Sequence, residues 1–295
     1  MYTIGIDIGG TAVKMGVIGR NIEPIWRHEI PFEPGNPEAM LMKIAQCVRE
    51  AGERYPLSRV GAACAGSVDL RTGQVWGDNI AFHGVPVRDI LTEELGLPVW
   101  VDNDAQAAMQ AEWTSGACKG ANHAVFISLG TGIGGALVLN GQPYRGRANG
   151  GAELGHIIVH AGGEECSCGM RGCYEAYASA TALARMAGRP AREAIDLARS
   201  GERRMREVFR QYCHEICLGM ISLLSIFEPE VLVIGGGISG AGRFLLDTIH
   251  EEMDKIDPWV FSSDVLITLA RHKNDAGIIG AAALAEYYID DGMQG

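Results

Sequence analysis

An α/β fold of two similar domains is what this sequence predicts, and three observations carry the prediction. Short apolar runs alternate with segments of helical spacing along the whole chain, the pattern of sheets flanked by helices. A strand, glycine turn, strand pattern occurs twice, as "TIGIDIGGTAVKMGVIG" near the start and "HAVFISLGTGIGGALVLNG" in the middle, and self-similarity of this kind suggests a duplicated unit. The length, 295 residues, suits one large or two medium domains at roughly 100–200 residues each.

The elements follow in order. The first glycine hairpin gives two strands, and "PIWRHEIPF" a third. "PEAMLMKIAQCVREAGERY" has helical spacing with Pro37 and Glu38 at its start. "RVGAACAGSVD" is a buried strand running into a loop, "VRDILTEELG" a short helix ended by Gly96, "PVWVDND" a strand with a polar end, and "AQAAMQAEWTSG" a helix. After the second hairpin and a cysteine-rich stretch come "SATALARMAG", "AREAIDLARSG" and a long helix from Glu202 to about Phe227. "EVLVIGGGISG" is a buried strand ending in glycines; "GRFLLDTIHEEMDKI" is a helix, "DVLITLA" a strand, and "DAGIIGAAALAEYYIDDG" a last helix rich in small residues. The expected domains are 1–117 and 118–276, with the last helix, 277–295, packing back on the first.

Composition narrows the class. The chain is 47% hydrophobic and 21% charged, ordinary for a globular protein, and its net charge of −11 argues against a nucleic-acid partner. No apolar run reaches the ~18 residues of a membrane span. The start, "MYTIGIDIGG", reads as a strand and not as an export signal, so a cytoplasmic location is expected and disulfides are disfavoured. Cys47, Cys64, Cys118, Cys213 and Cys217 read as small buried side chains.

Three constellations carry chemistry. Asp7–Thr11, Leu129–Gly135 and Gly235–Gly240 are glycine-rich turns after strands, where backbone N–H groups can close on phosphate oxygens. None is a Walker loop, since no Gly-Lys-Ser/Thr follows, and neither hairpin turn opens a helix in the dinucleotide manner. Asp7, at a strand end beside them, suits a Mg2+ ion. Asp102, Asn103 and Asp104 end a strand and start a helix. A carboxylate there can take a hydroxyl proton, although a short polar residue there also suits a helix N-cap. Cys166, Cys168 and Cys173 offer three thiolates in a C-x-C-x4-C spacing, with His156 or His160 as the fourth ligand of a structural zinc. Glu153 and Glu175 lie on the same loop as candidate ligand groups.

"ELGH" followed by "CSCGMRGCYE", with "GIDIGGT", "NDA", "GTGIGG" and "DAGIIGAA", resembles the ROK family of sugar kinases and related repressors, over nearly the whole chain. The resemblance implies a two-domain actin-like ATPase (ribonuclease H-like) fold with a zinc-stabilised loop, and transfer of phosphate from ATP to a hexose, glucose first. It implies Asp104 as catalytic base; Gly66, Asn79, Asn103, Glu153, His156 and Glu175 as sugar ligands; and Asp7, Gly9, Gly10, Thr11, Lys14, Gly130, Thr131, Gly132, Gly235, Gly236 and Gly237 around ATP and Mg2+. It also chooses His156 to join Cys166, Cys168 and Cys173 around zinc. Metal loss is then expected to weaken sugar binding ahead of ATP binding. The alternatives are an N-acylmannosamine kinase, a fructose, mannose or allose kinase, and, last, a sensor without turnover.

The sequence departs from the family pattern in three places. Ala65 precedes Gly66 where proline and glycine are usual, "NIAFHG" keeps Asn79 but not the tryptophan of the common N-L-x-W, and Ala152 replaces the glycine before Glu153. All three leave phosphoryl transfer untouched and put sugar identity in question. Family repressors carry an N-terminal DNA-binding segment; with a first strand read from Thr3 no such segment is expected here, and the enzyme branch is the expectation. The small-residue face of the last helix fits either a homodimer contact or the core.

Overall fold

The computed structural model describes residues 1–147, 150–256 and 264–290. Two compact units are present. The first holds Met1–Lys119, a short return that begins at Arg145, and the chain from Asn274 onward; the second holds Gly120–Tyr144 and Ala152–Lys273. The return at Arg145 lies inside the stretch expected to belong wholly to the second domain, and it joins the first because Arg145 is paired there with Asp102.

In the first unit, β1 (Tyr2–Ile8), β2 (Ala12–Ile18) and β3 (Pro24–Pro31) form an antiparallel meander. Then come α1 (Pro37–Gly52), β4 (Leu57–Cys64), β5 (Ser67–Asp69), β6 (Gln74–Gly77), β7 (Phe82–Pro86), α2 (Val87–Leu95), β8 (Val99–Asn103) and α3 (Asp104–Ser115). The main sheet runs β3-β2-β1-β4-β8, with β1, β4 and β8 parallel. Ile4, Ile6 and Ile8 alternate onto one face and are fully buried in one cluster with Leu41, Ile44 and Val48 of α1. Burial of each such side chain stabilises by roughly 1.5–3 kcal/mol. The start of α1 is fixed by Pro37 and by Asn36, whose side chain accepts the Ala39 N–H at 3.0 Å. The loop expected after Gly66 is instead a small sheet, β5-β6-β7. Val68, Val75 and Phe82 bury one face of it, in strands too short for their alternation to show in the sequence.

The second unit repeats the plan. β9 (Ala124–Leu129), β10 (Ile133–Leu139) and β11 (Gln142–Pro143) lead to a cysteine-rich loop and then α4 (Glu175–Ala178), α5 (Ala180–Ala187), α6 (Ala191–Ser200) and α7 (Arg203–Phe227). β12 (Val231–Gly235), α8 (Arg243–Ile256) and β13 (Leu266–Leu269) complete it. Its sheet runs β11-β10-β9-β12-β13, the same order as the first with β9, β12 and β13 parallel. Glu202 caps α7 by accepting the Met205 N–H at 2.6 Å. Two buried tyrosines tie α4 to α7: Tyr174 donates to the Ile216 carbonyl and Tyr212 to the Ala178 carbonyl, both at 2.8 Å.

The last helix, α9 (Ala276–Asp290), belongs to the first unit. Glycines let it approach unusually closely. A Cβ on Gly5 would lie 1.8 Å from the Ile278 carbonyl oxygen, one on Gly61 1.8 Å from that of Ala281, and one on Gly280 1.7 Å from that of Ala107. The small residues are therefore core: Ala281, Ala282, Leu284 and Ala285 are buried against β1, β4 and α3. That leaves the small-residue face no role in a dimer. Residues 291–295 of the expected helix lie outside the described residues. No helix among the described residues is long and apolar enough to cross a membrane.

Candidate active site

Strand register assembles the candidate residues of the first unit. Ile8, Cys64 and Asn103 are neighbours at the carboxyl ends of β1, β4 and β8, the end at which open α/β sheets bind ligands. Asp104 opens α3 there, and its Oδ1 accepts the Ala105 N–H at 2.8 Å. The residue is open to solvent, yet desolvation by the protein mass around it, then the charge of Asp7, raises its carboxyl to about 6. Burial likewise raises the Asp7 carboxyl, and Lys14, opposite it on β2, only partly offsets this. Gly277, at the start of α9, packs so closely that a Cβ there would lie 2.4 Å from the Asp7 carboxyl carbon.

The neighbours of Asp104 are fixed by the same loops. Asn103 is the N-cap of α3: its Oδ1 accepts from Ala105 N at 2.9 Å and Gln106 N at 3.2 Å, and its Nδ2 donates to the Gly66 carbonyl at 2.9 Å. Capping and ligand binding were competing readings of this residue, and capping takes most of its capacity; one Nδ2 hydrogen is left for a ligand. Gly66 has no room for a side chain, since a Cβ would lie 2.2 Å from the Trp76 carbonyl oxygen. Asn79 is exposed, and its carbonyl would lie 2.6 Å from a Cβ on Gly10, which places it against the first glycine turn. Lys14 also lines a cavity of about 500 Å³ with Arg27, Glu29 and Asp275.

Asp102 does none of this work. It is buried, accepts the Asn103 N–H at 2.7 Å and the Tyr288 hydroxyl at 2.5 Å, and pairs with Arg145 at 2.6 Å. The Arg145 guanidinium lies over the Tyr288 ring, 5.6 Å from its centre. This brace orients the strand end that carries Asn103 and Asp104. Sequence reasoning missed Arg145 and Tyr288, because no local pattern joins three residues so far apart in the chain.

In the second unit, ligand atoms of His156, Cys166, Cys168 and Cys173 all lie within 4.8 Å of one another. A tetrahedral zinc with Zn–S near 2.3 Å and Zn–N near 2.0–2.1 Å has S···S edges of about 3.8 Å and S···N edges of about 3.6 Å. Cys168 and Cys173 are 3.7 Å apart, and Cys166 Sγ is 3.6 Å from His156 Nδ1, so the donor set fits that ion. The sulfurs are free thiols, and burial pushes that of Cys173 up to about 12; a bound cation would reverse this by deprotonating its ligand. His156 turns Nδ1 toward the sulfurs, leaving Nε2 on the opposite side of the ring. His160, the other candidate, pairs with Glu215 at 2.6 Å and packs at a tilt against the Tyr177 ring. The loop depends on Gly172, with φ of +84° and a site for a Cβ only 1.8 Å from the His160 carbonyl oxygen. The five other cysteines are buried, as read from the sequence.

Glu153 is exposed just before His156, and its side chain makes no capping bond. Ala152 before it has φ of +68°, the left-handed region a glycine would occupy without strain. Glu175 accepts the Ile133 N–H at 2.9 Å, directly beneath the turn Gly130, Thr131, Gly132. At the end of β12, Gly236 has φ of +77° and passes 2.5 Å, measured from a Cβ position, from the Leu129 carbonyl oxygen; Gly235 packs on Phe126, and Gly237 is open. Gly237, Gly240 and Ala180 line a cavity of about 500 Å³ whose far wall is Arg192, Ile195, Asp196 and Arg199 of α6. That wall was read from sequence only as a helix.

Two five-stranded sheets of identical order, each with a glycine turn between its first two strands, define an actin-like ATPase fold. The ROK family model matches residues 3–287, and the chain belongs to the ROK family. The glucokinase of Thermotoga maritima is 35% identical over 95% of this chain and 96% of that protein. The crystal structure of a ROK family glucokinase from Streptomyces griseus in complex with glucose and AMPPNP superposes with a TM-score of 0.86 at 32% identity, covering 97% of this chain and all of that one. The N-acetylmannosamine kinase of Salmonella arizonae is 29% identical over 97% of this chain and 99% of that protein.

Proposed function

We propose that this protein is an ATP-dependent hexose kinase that converts glucose to glucose 6-phosphate. The observation that carries the reading is Asp104: a solvent-open carboxylate at the carboxyl ends of three parallel strands, with its carboxyl raised to about 6 and Asn103, tied to the Gly66 carbonyl, next to it. That value suits a general base at neutral pH, ionised yet more basic than an ordinary carboxylate. Asp104 takes the proton of the sugar hydroxyl as its oxygen attacks the γ-phosphorus; the bond to the bridging oxygen breaks and ADP leaves.

The remaining residues bind and orient. Asn79, Asn103, Glu153, His156 and Glu175 hold the hydroxyls of the sugar. Gly9, Gly10, Thr11, Lys14, Gly130, Thr131, Gly132 and the run Gly235–Gly237 hold the nucleotide phosphates, and the α6 cavity takes the base. Asp7, a single desolvated carboxylate, suits a Mg2+ that keeps most of its other ligands as water and phosphate. That ion supplies charge neutralisation on the transferring group when bound. Zinc on His156 and the three cysteines is structural, with no ligand position left over. The location expected for such an enzyme is the cytoplasm, with sugar and ATP as its partners.

N-acetylmannosamine is the second reading, favoured by the Salmonella relative. ADP release from Mg-ATP, measured over glucose, mannose, fructose, allose and N-acetylmannosamine, separates the two. The highest kcat/KM with glucose is the expected result. A strong preference for N-acetylmannosamine would replace glucose, and phosphate release without any sugar would remove the kinase reading.

A further inference from the structure

Glu175 holds two loops at once. Its Oε2 accepts the Ile133 N–H at 2.9 Å, and a Cβ on Gly132 would lie 2.2 Å from that same oxygen, so the carboxylate sits against the second glycine turn. Its Oε1 accepts the Ser167 hydroxyl at 2.8 Å, and Ser167 stands between two of the four metal-site residues, Cys166 and Cys168. The stretch that follows adds two more ties to the turn: Ala180 N donates to the Gly130 carbonyl and Thr181 Oγ1 to the Thr131 carbonyl, both at 2.8 Å.

We infer that Ser167 and Glu175 form a strut that passes the state of the metal loop to the glycine turn, which makes Ser167 a positioning residue for the nucleotide as well as the sugar. The inference rests on the proposed function for what the turn binds. The geometry is specific: Ser167 Oγ lies 2.8 Å from Glu175 Oε1, against 3.8 Å for Cys166 Sγ. Each carboxylate oxygen can accept a second bond, so Glu175 supports the turn and still receives a sugar hydroxyl. Metal loss then reaches nucleotide and sugar together, and not the sugar first.

The test uses Ser167→Ala in the full-length protein, with zinc content confirmed by atomic emission. Exchange of the Ile133 amide is read by NMR without ligand, and AMPPNP affinity by calorimetry. Both should worsen about fivefold, the net worth of one hydrogen bond, with zinc retained, and Ser167→Thr should restore both. An Ile133 amide that exchanges at the wild-type rate in zinc-loaded Ser167→Ala overturns the strut. Failure of AMPPNP to bind the wild type would count against the proposed function instead, and the exchange result would still decide the strut.

Discussion

Gly9, Gly10 and Thr11 in the first unit and Gly130, Thr131 and Gly132 in the second occupy the same place in the same sheet order, between the first and second strands of each sheet. Both close with a short backbone bond, Gly9 N to the Ala12 carbonyl at 3.1 Å and Gly130 N to the Gly132 carbonyl at 2.9 Å. Their surroundings differ. Two residues before the first turn stands Asp7, desolvated and next to Gly277; at the matching place before the second stands Ser128. The second turn is instead held from outside, by Glu175 and the segment after the cysteines. A duplicated frame supplied two phosphate-sized turns. One copy carries a desolvated carboxylate that suits a cation, and the other is braced by the segment that follows the cysteine cluster. Symmetry of fold therefore says little about symmetry of chemistry.

The largest expected effect breaks that comparison directly. Cys168→Ala, which removes a metal ligand, should abolish zinc binding and cut glucose affinity by about a hundredfold. Amide exchange should rise around residues 130–133 and stay unchanged around 9–11. Equal loosening of both turns would mean that the metal supports the whole protein and not one turn.

Acid should act on the other unit. Asp104 must be ionised to accept a proton, and its carboxyl is raised to about 6, so kcat/KM should fall about tenfold per pH unit below that value. The same shift fixes a sign for stability. An acid whose pKa is raised in the folded state is ionised there at a cost, so this group makes the fold less stable above pH 6 than below it. A pH profile flat down to 5 would remove Asp104 from the base role.

The smallest effect sharpens the account of the sugar wall. Ala152 holds φ of +68°, where a glycine would sit without strain. Ala152→Gly should relieve strain of about 1 kcal/mol and raise the melting temperature by about 2 °C. A lower melting temperature would show that the left-handed alanine carries no strain.

How much of this could be read beforehand depended on the range of the signal. The glycine hairpins, the helix that begins after Glu202, and the cluster of Cys166, Cys168 and Cys173 are local patterns and were legible, whereas the choice of His156 over His160 came from the family resemblance. Asn103 was ambiguous because an N-cap and a ligand call for the same short amide. The role of α9 was ambiguous because small residues serve a dimer seam and a tight core alike, and only Gly5 and Gly61 on other strands decide between them. The Asp102, Arg145 and Tyr288 brace and the Ser167 to Glu175 contact were not legible, since each joins residues whose own neighbourhoods give no sign of a partner.

The central claim is that Asp104 is the base of a hexose kinase. The direct measurement is the rate of ADP formation from Mg-ATP and glucose by wild type and Asp104→Asn, beside the glucose affinity of each. The account predicts a loss of about 10²–10⁴-fold in kcat with glucose affinity held near wild type, in a variant at least as stable at pH 7 as its parent. A variant that turns over at close to the wild-type rate would contradict it.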